Sequence, residues 1–167
     1  MHAYITSRID YCNNLFVGLP QELLNKLQSV LNTAARLVTM TRKFDHITPV
    51  LKDLHWLPVR ERAIFKILLM VFKSLNGLAP SYLQNKLTLK PSNGLRSDHT
   101  NLLIVPRSNL KSYGDRSFSI AGPKLWNLLP KSLRMCTSLE SFKSKLKTFL
   151  FTRAFSDSHV EHLALCS

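Results

Sequence analysis

A chain of 167 residues that is 45% apolar has material for one hydrophobic core and is not a disordered polyelectrolyte. Its 23 Lys and Arg outnumber 10 Asp and Glu, a formal net charge of +13, which points to a polyanionic partner, nucleic acid before anionic membrane or acidic protein. The longest apolar run, residues 67–72, falls far short of the ~20 residues that span a bilayer, so no membrane partner is expected.

Cys12, Cys136 and Cys166 are odd in number and widely spaced, so neither a disulfide framework nor a CxxC pair follows. They read as reduced thiols of an intracellular protein, nuclear or cytoplasmic. The opening MHAYITSRIDYC holds no apolar run of signal-peptide length.

In chain order, residues 3–17 are a short helix candidate closed by Gly18, and Gly18-Leu19-Pro20 sets a helix stop beside a helix start. A second helix is predicted over 20–40. There Leu23, Leu24, Leu27, Val30, Leu31, Ala34, Ala35 and Val38 recur at three- and four-residue spacing and are expected to share one apolar face. The loop 41–48 carries Arg42 and Lys43. Thr48-Pro49 pairs an N-cap with a first-turn proline and predicts a short helix over 50–55. The next helix, 58–75, is stopped by Gly77. It is apolar over most of its girth and is expected at the centre of the core, with Arg62, Lys66 and Lys73 as a narrow cationic stripe.

Ala79-Pro80 opens a short helix over 81–86. Residues 88–101 are rich in Ser, Asn, Pro and basic residues and read as an exposed loop at an internal boundary. The apolar run 102–105 could pair with 116–120 across Ser112-Tyr113-Gly114-Asp115 as a small β-hairpin. A helix over 124–129 begins at Gly122-Pro123 and turns Trp126 inward. The last helix, 138–151, opens on the capping box Thr137-x-x-Glu140 and places Leu139, Phe142, Leu146, Phe149 and Leu150 on one side. The polar tail is expected to fray. The fold class expected is mainly α: an irregular helical bundle with room for a small β-hairpin near 102–120. Its expected parts are a helical subdomain 1–87, a basic loop 88–101, a hairpin plus helices 102–154, and a tail 155–167.

Two-metal phosphoryl transfer needs paired carboxylates that hold ions about 4 Å apart, and no two acidic residues are adjacent in this chain. Zinc needs Cys and His in spaced pairs. Cys12, His46, Cys136 and His162 are scattered, and His159 and His162 sit in the tail. No G-x-S-x-G, Walker-type or G-x-G-x-x-G motif occurs. The residues therefore predict no catalytic group, no metal and no cofactor.

The basic set remains. Residues 57–131 carry 12 Lys and Arg against 3 acids, a net of +9, with Tyr82, Tyr113, Phe118 and Trp126 among them. Lys and Arg neutralise phosphates and release counterions, and aromatic rings stack on bases. The candidate nucleic-acid contacts are Arg36, Arg42, Lys43, Arg62, Lys66, Lys73, Arg96, Arg107, Lys111, Arg116 and Lys124. Each taken alone also fits a solvated basic surface over an aromatic core. The patch as a whole points to RNA, DNA or both. Leu54-His55-Trp56-Leu57-Pro58 and Trp126 read as a helix corner and a core anchor.

The stretches SRIDYCNNLFVGLP (7–20), KLQSVLNTAARLVT (26–39), DHITPVLKDLHWLPVRERAIFKILLMVFKSLNGLAPSYL (45–83), RSNLKSYGDRSFSIAGPKLWNLLP (107–130) and SLESFKSKLKTFLF (138–151) form an ordered series. Together they resemble the C-terminal part of non-LTR, LINE-type retrotransposon reverse transcriptases of the jockey-like group. The resemblance covers most of the chain to about Ala154. It implies a thumb and post-thumb segment that helps hold template RNA and target DNA. The family's Tyr/Phe-x-Asp-Asp strand, its endonuclease carboxylates and histidines, and a Cys-Cys-His-Cys knuckle have no counterpart at any position. The resemblance thus implies a catalytic palm expected before Met1, and the missing polymerase domains as a partner. A helical protein–protein interaction module and a non-functional retroelement relic stay open as alternatives, as does the oligomeric state.

Overall fold

The computed structural model describes residues 7–8, 10–11, 13–91, 101–107 and 114–156. The helices are α1 (Gln21–Thr39), α2 (Ile47–Asp53), α3 (Val59–Leu75), α4 (Ser81–Gln84), α5 (Phe118–Asn127), α6 (Lys131–Arg134) and α7 (Leu139–Phe155), with 3-10 turns at Asn13–Phe16 and Gly114–Arg116. Among the described residues there is no strand or sheet, only an isolated antiparallel bridge between Leu89 and Leu103. The chain is mainly α. It divides into a terminal unit, Met1–Ala63 with Thr148–Ser167, and a central unit, Ile64–Lys147.

The core of the terminal unit is built by Leu24, Leu31, Ala34 and Ala35 of α1 with Leu51, Trp56 and Val59. Fully burying a side chain of leucine size contributes about 1.5–3 kcal/mol. The apolar face of α1 is narrower than its pattern suggests: Leu23, Val30 and Val38 are exposed. A step of one residue is a rotation of about 100°, so Leu23 and Val30 flank the buried Leu24 and Leu31 line instead of joining it.

Helix termini account for most of the local geometry. Pro20 stands at the N-cap of α1, one place before the expected first-turn position, and its carbonyl accepts Leu23 N–H at 3.1 Å. Helix α2 starts earlier than Thr48-Pro49 suggests, with His46 at its N-cap. Pro49 falls within the first turn, where a backbone N–H has no intrahelical acceptor, so proline costs nothing there. The end of α2 is a Schellman motif. His55 takes φ +52°, its N–H donates to Lys52 O and Trp56 N–H donates to Leu51 O, both at 3.0 Å. The same closure ends α3: Gly77 takes φ +70° and Leu78 N–H donates to Lys73 O at 2.8 Å. Gln28 of α1 accepts the Val59 N–H at 2.9 Å and so satisfies an orphan donor at the start of α3.

The central unit buries Ile64, Ile67, Leu68, Val71 and Phe72 of α3, Ile120, Leu125 and Trp126 of α5, and Phe142 and Leu146 of α7. Phe72 and Phe142 stack with centroids 4.3 Å apart and rings 14° from parallel, and Trp126 lies tilted 5.8 Å from Phe142.

The hairpin expected over 102–120 is not formed. Residues 118–120 belong to α5, whose N-cap is Ser117, and Ile120, Ala121 and Leu125 are buried at helical spacing. The run 102–104 pairs instead with 88–90, through Lys90 N–H to Leu102 O and Ile104 N–H to Thr88 O, both 2.9 Å. The Asn127 side chain takes the place of a second strand. Its Oδ1 accepts Leu103 N–H at 2.9 Å and its Nδ2 donates to Leu103 O at 2.8 Å. Trp126 Nε1 donates to Asn101 O at 2.7 Å beside it. Gly122-Pro123 does not begin the helix: Pro123 lies inside α5. It removes one backbone donor, which leaves the Ser119 carbonyl without that bond. The turn at Ser112-Tyr113 and the tail from residue 157 lie outside the described residues.

Candidate nucleic-acid interface

Charge divides sharply between the two units. The central unit, 64–147, carries 14 Lys and Arg against 3 acids, a net of +11, and the remaining residues carry 9 against 7, a net of +2. Two of the three central acids have a lysine partner. Lys124 donates to Asp115 at 3.3 Å and Lys143 to Glu140 at 2.7 Å. The third, Asp98, lies outside the described residues.

Among the described candidates, Arg36, Arg62 and Lys124 make side-chain hydrogen bonds within the chain. Arg36 donates from Nε to Arg42 O at 3.3 Å and from Nη2 to Asp45 O at 2.8 Å, so its guanidinium ties down the loop after α1. Arg62 forms a two-pronged pair with Asp10. Lys124 is the partner of Asp115. Lys43 lies 6.0 Å from the Phe44 ring centroid. Arg42, Lys66 and Arg107 are exposed, Lys73 is half-buried, and Arg116 is half-buried at the end of its 3-10 turn. Arg96 and Lys111 lie outside the described residues. Arg36, Arg42, Lys43 and Arg62 belong to the terminal unit, and the other seven to the central unit.

The structure adds exposed cations to the central unit that the sequence reading passed over: Lys86, Lys90, Lys131, Lys145 and Lys147. Two signals could have found them. No acid occurs between Glu61 and Asp98, and lysine takes every second position from 143 to 147. Arg134 differs from these. Its Nε and Nη1 are buried without a hydrogen-bond partner, and desolvation pulls the guanidinium below its ordinary value.

Among the described residues no group of three or more His, Cys, Asp or Glu could hold a metal ion, and no helix is long and apolar enough to cross a membrane. Cys136 is a free thiol that donates to Ser132 O at 3.4 Å. No family model, curated protein or solved structure matches the chain.

Proposed function

We propose that this chain is a nucleic-acid-binding segment that grips phosphate backbones through its central unit, in the manner of the thumb and post-thumb part of a non-LTR reverse transcriptase. The observation that carries the reading is the net charge of +11 gathered in 64–147, with two of its three acids already held by lysines. Such a surface attracts a polyanion, and phosphate contacts supply sequence-independent affinity. The chain performs no chemistry of its own under this reading, and catalysis belongs to a palm elsewhere in a parent polymerase. Its place is intracellular, in nucleus or cytoplasm.

A salt series tests the proposal. Fluorescence anisotropy with a labelled RNA or DNA oligonucleotide should give a log–log plot of affinity against salt that falls by roughly 0.7–0.9 for each phosphate neutralised. No binding at low salt removes the reading.

A second reading, a helical module that docks onto the missing polymerase domains, is favoured by the outer side of α1. Leu23, Val30 and Leu37 stand seven residues apart and exposed, with Met40 and Phe44 exposed beyond them. Contiguous exposed apolar side chains mark interaction surfaces. Sedimentation that shows a defined, salt-insensitive oligomer without RNA affinity would favour it over the first.

A further inference from the structure

We infer that Tyr82 is a stacking platform for an unpaired base, with Lys86 and Lys90 taking the flanking phosphates, so that the central unit holds single-stranded nucleic acid at this point. The inference rests on the proposed function and deepens it.

Among the central unit's aromatic residues, the structure separates core from surface. Phe72, Trp126 and Phe142 are buried, and Phe65 and Phe118 are half-buried. Tyr82 is 65% exposed and is the one exposed aromatic among the unit's described residues. It makes no hydrogen bond and no ring contact there. A tyrosine so placed adds little to the core, and its ring face is open to a ligand.

Its position is fixed by the backbone. Pro80 caps α4, and its carbonyl accepts Leu83 N–H at 3.0 Å and Gln84 N–H at 3.3 Å. Gln84 Nε2 reaches back to Ala79 O at 2.6 Å. Asn85 N–H donates to Ser81 O, Lys86 N–H to Leu83 O and Leu87 N–H to Gln84 O, at 2.9, 3.1 and 3.1 Å. The chain therefore tightens past α4 into i→i+3 bonds, and Lys86 follows Tyr82 by four residues. Lys90 follows, its backbone held to Leu102. Both lysines are exposed, neither has an ion-pair partner among the described residues, and no acid interrupts 62–97. An exposed ring followed at four and eight residues by exposed lysines, in a stretch without an acid, matches a nucleotide, whose base offers a π-face and whose phosphate offers charge. Only an unpaired base presents that face; in a duplex it is already stacked.

The experiment compares the full chain with Tyr82→Ala, Tyr82→Phe and Lys86→Ala in anisotropy titrations against a single-stranded RNA and a duplex of equal length. Tyr82→Ala should weaken single-strand binding about 5- to 150-fold, the range for one lost base–aromatic stack. It should leave the salt slope and duplex affinity unchanged. Tyr82→Phe, which keeps the ring, should bind like the parent chain. Lys86→Ala should lower the single-strand salt slope by about 0.7. Wild-type binding to both forms with no effect of Tyr82→Ala overturns this inference and leaves the proposed function standing. Equal losses on single strand and duplex also overturn it. Binding to neither form by the wild-type chain overturns both.

Discussion

Arg62 donates two hydrogen bonds to the Asp10 carboxylate, from Nε to Oδ1 at 2.8 Å and from Nη2 to Oδ2 at 2.6 Å, across 52 residues of sequence. Asn13 Nδ2 donates to the same Oδ1 at 3.2 Å. Both charged side chains are largely shielded from water, at 16% and 28% exposure, and a charge-assisted fork of this kind is stronger than a surface pair. Asp10→Ala should lower the unfolding free energy by about 1–3 kcal/mol in urea titrations, because it strands a shielded guanidinium.

The same pair decides what Arg62 can do for a ligand. A guanidinium held by a carboxylate is already neutralised, whereas Lys66 on the same stripe of α3 is exposed. In salt-dependent RNA binding, Lys66→Ala combined with Lys73→Ala should reduce the slope by roughly 0.7–0.9 for each lysine that meets a phosphate. Arg62→Ala should leave the slope unchanged while lowering stability. A slope lost with Arg62 and kept without Lys66 and Lys73 would reverse this assignment.

Gly122 in α5 faces Val71 of α3. A Cβ at 122 would lie 3.0 Å from Val71 Cγ2. In an open helix, glycine to alanine gains about 1 kcal/mol from propensity. Here Val71 is fully buried, and a β-branched side chain in a helix has one strongly preferred rotamer, so it has no room to yield. Gly122→Ala should therefore destabilise the chain, by about 1–3 kcal/mol, the usual size of an overpacking penalty. A rise in thermal midpoint would show that Val71 moves.

Burial is the main influence on Glu61 and raises its carboxyl above the ordinary carboxylate range, against the lowering effects of a backbone hydrogen bond, Arg153 and Arg60. Arg153 is itself pulled below its ordinary value by desolvation, with Glu61 partly restoring it. A carboxyl raised on folding binds its proton more tightly in the folded chain than in the unfolded one. Stability then falls as pH rises from the ordinary carboxylate range through the raised value, and levels off above it. Thermal midpoints across that window should decline in the parent chain, and Glu61→Gln should flatten the decline.

The helices were legible where periodicity and terminators agree. The spacing of Ile64, Ile67, Leu68, Val71 and Phe72, closed by Gly77, is unambiguous, and α3 is central to its unit's core as that pattern requires. Legibility failed where a short apolar run had two possible partners. Leu102, Leu103 and Ile104 suit a strand, but the residue that satisfies Leu103 is the side chain of Asn127, and no alternation pattern encodes a side-chain amide acting as a strand edge. It also failed at Gly122-Pro123, where a local start signal is overridden by the burial of Ile120 and Ala121 immediately before it. Within the candidate site, composition located the basic region, but it could not sort its members. Arg36 and Arg62 look like Lys66 in sequence. What distinguishes them is a pair of carbonyls and a carboxylate, the latter brought in from 52 residues away.

Fourteen cations in one compact unit repel each other as well as attract a ligand. Their mutual repulsion is screened over about 8 Å at physiological ionic strength and reaches much farther in dilute buffer. Added salt thus relieves the fold, and under the proposed function it would also compete with the phosphates, so the free chain would be least stable under the very conditions in which it grips hardest. A bound strand would resolve the conflict, since it would supply the missing counter-charge and stabilise the folded state by mass action. Under the proposed function, the nucleic acid would be part of the unit's own charge balance, as a counterion that happens to be a polymer.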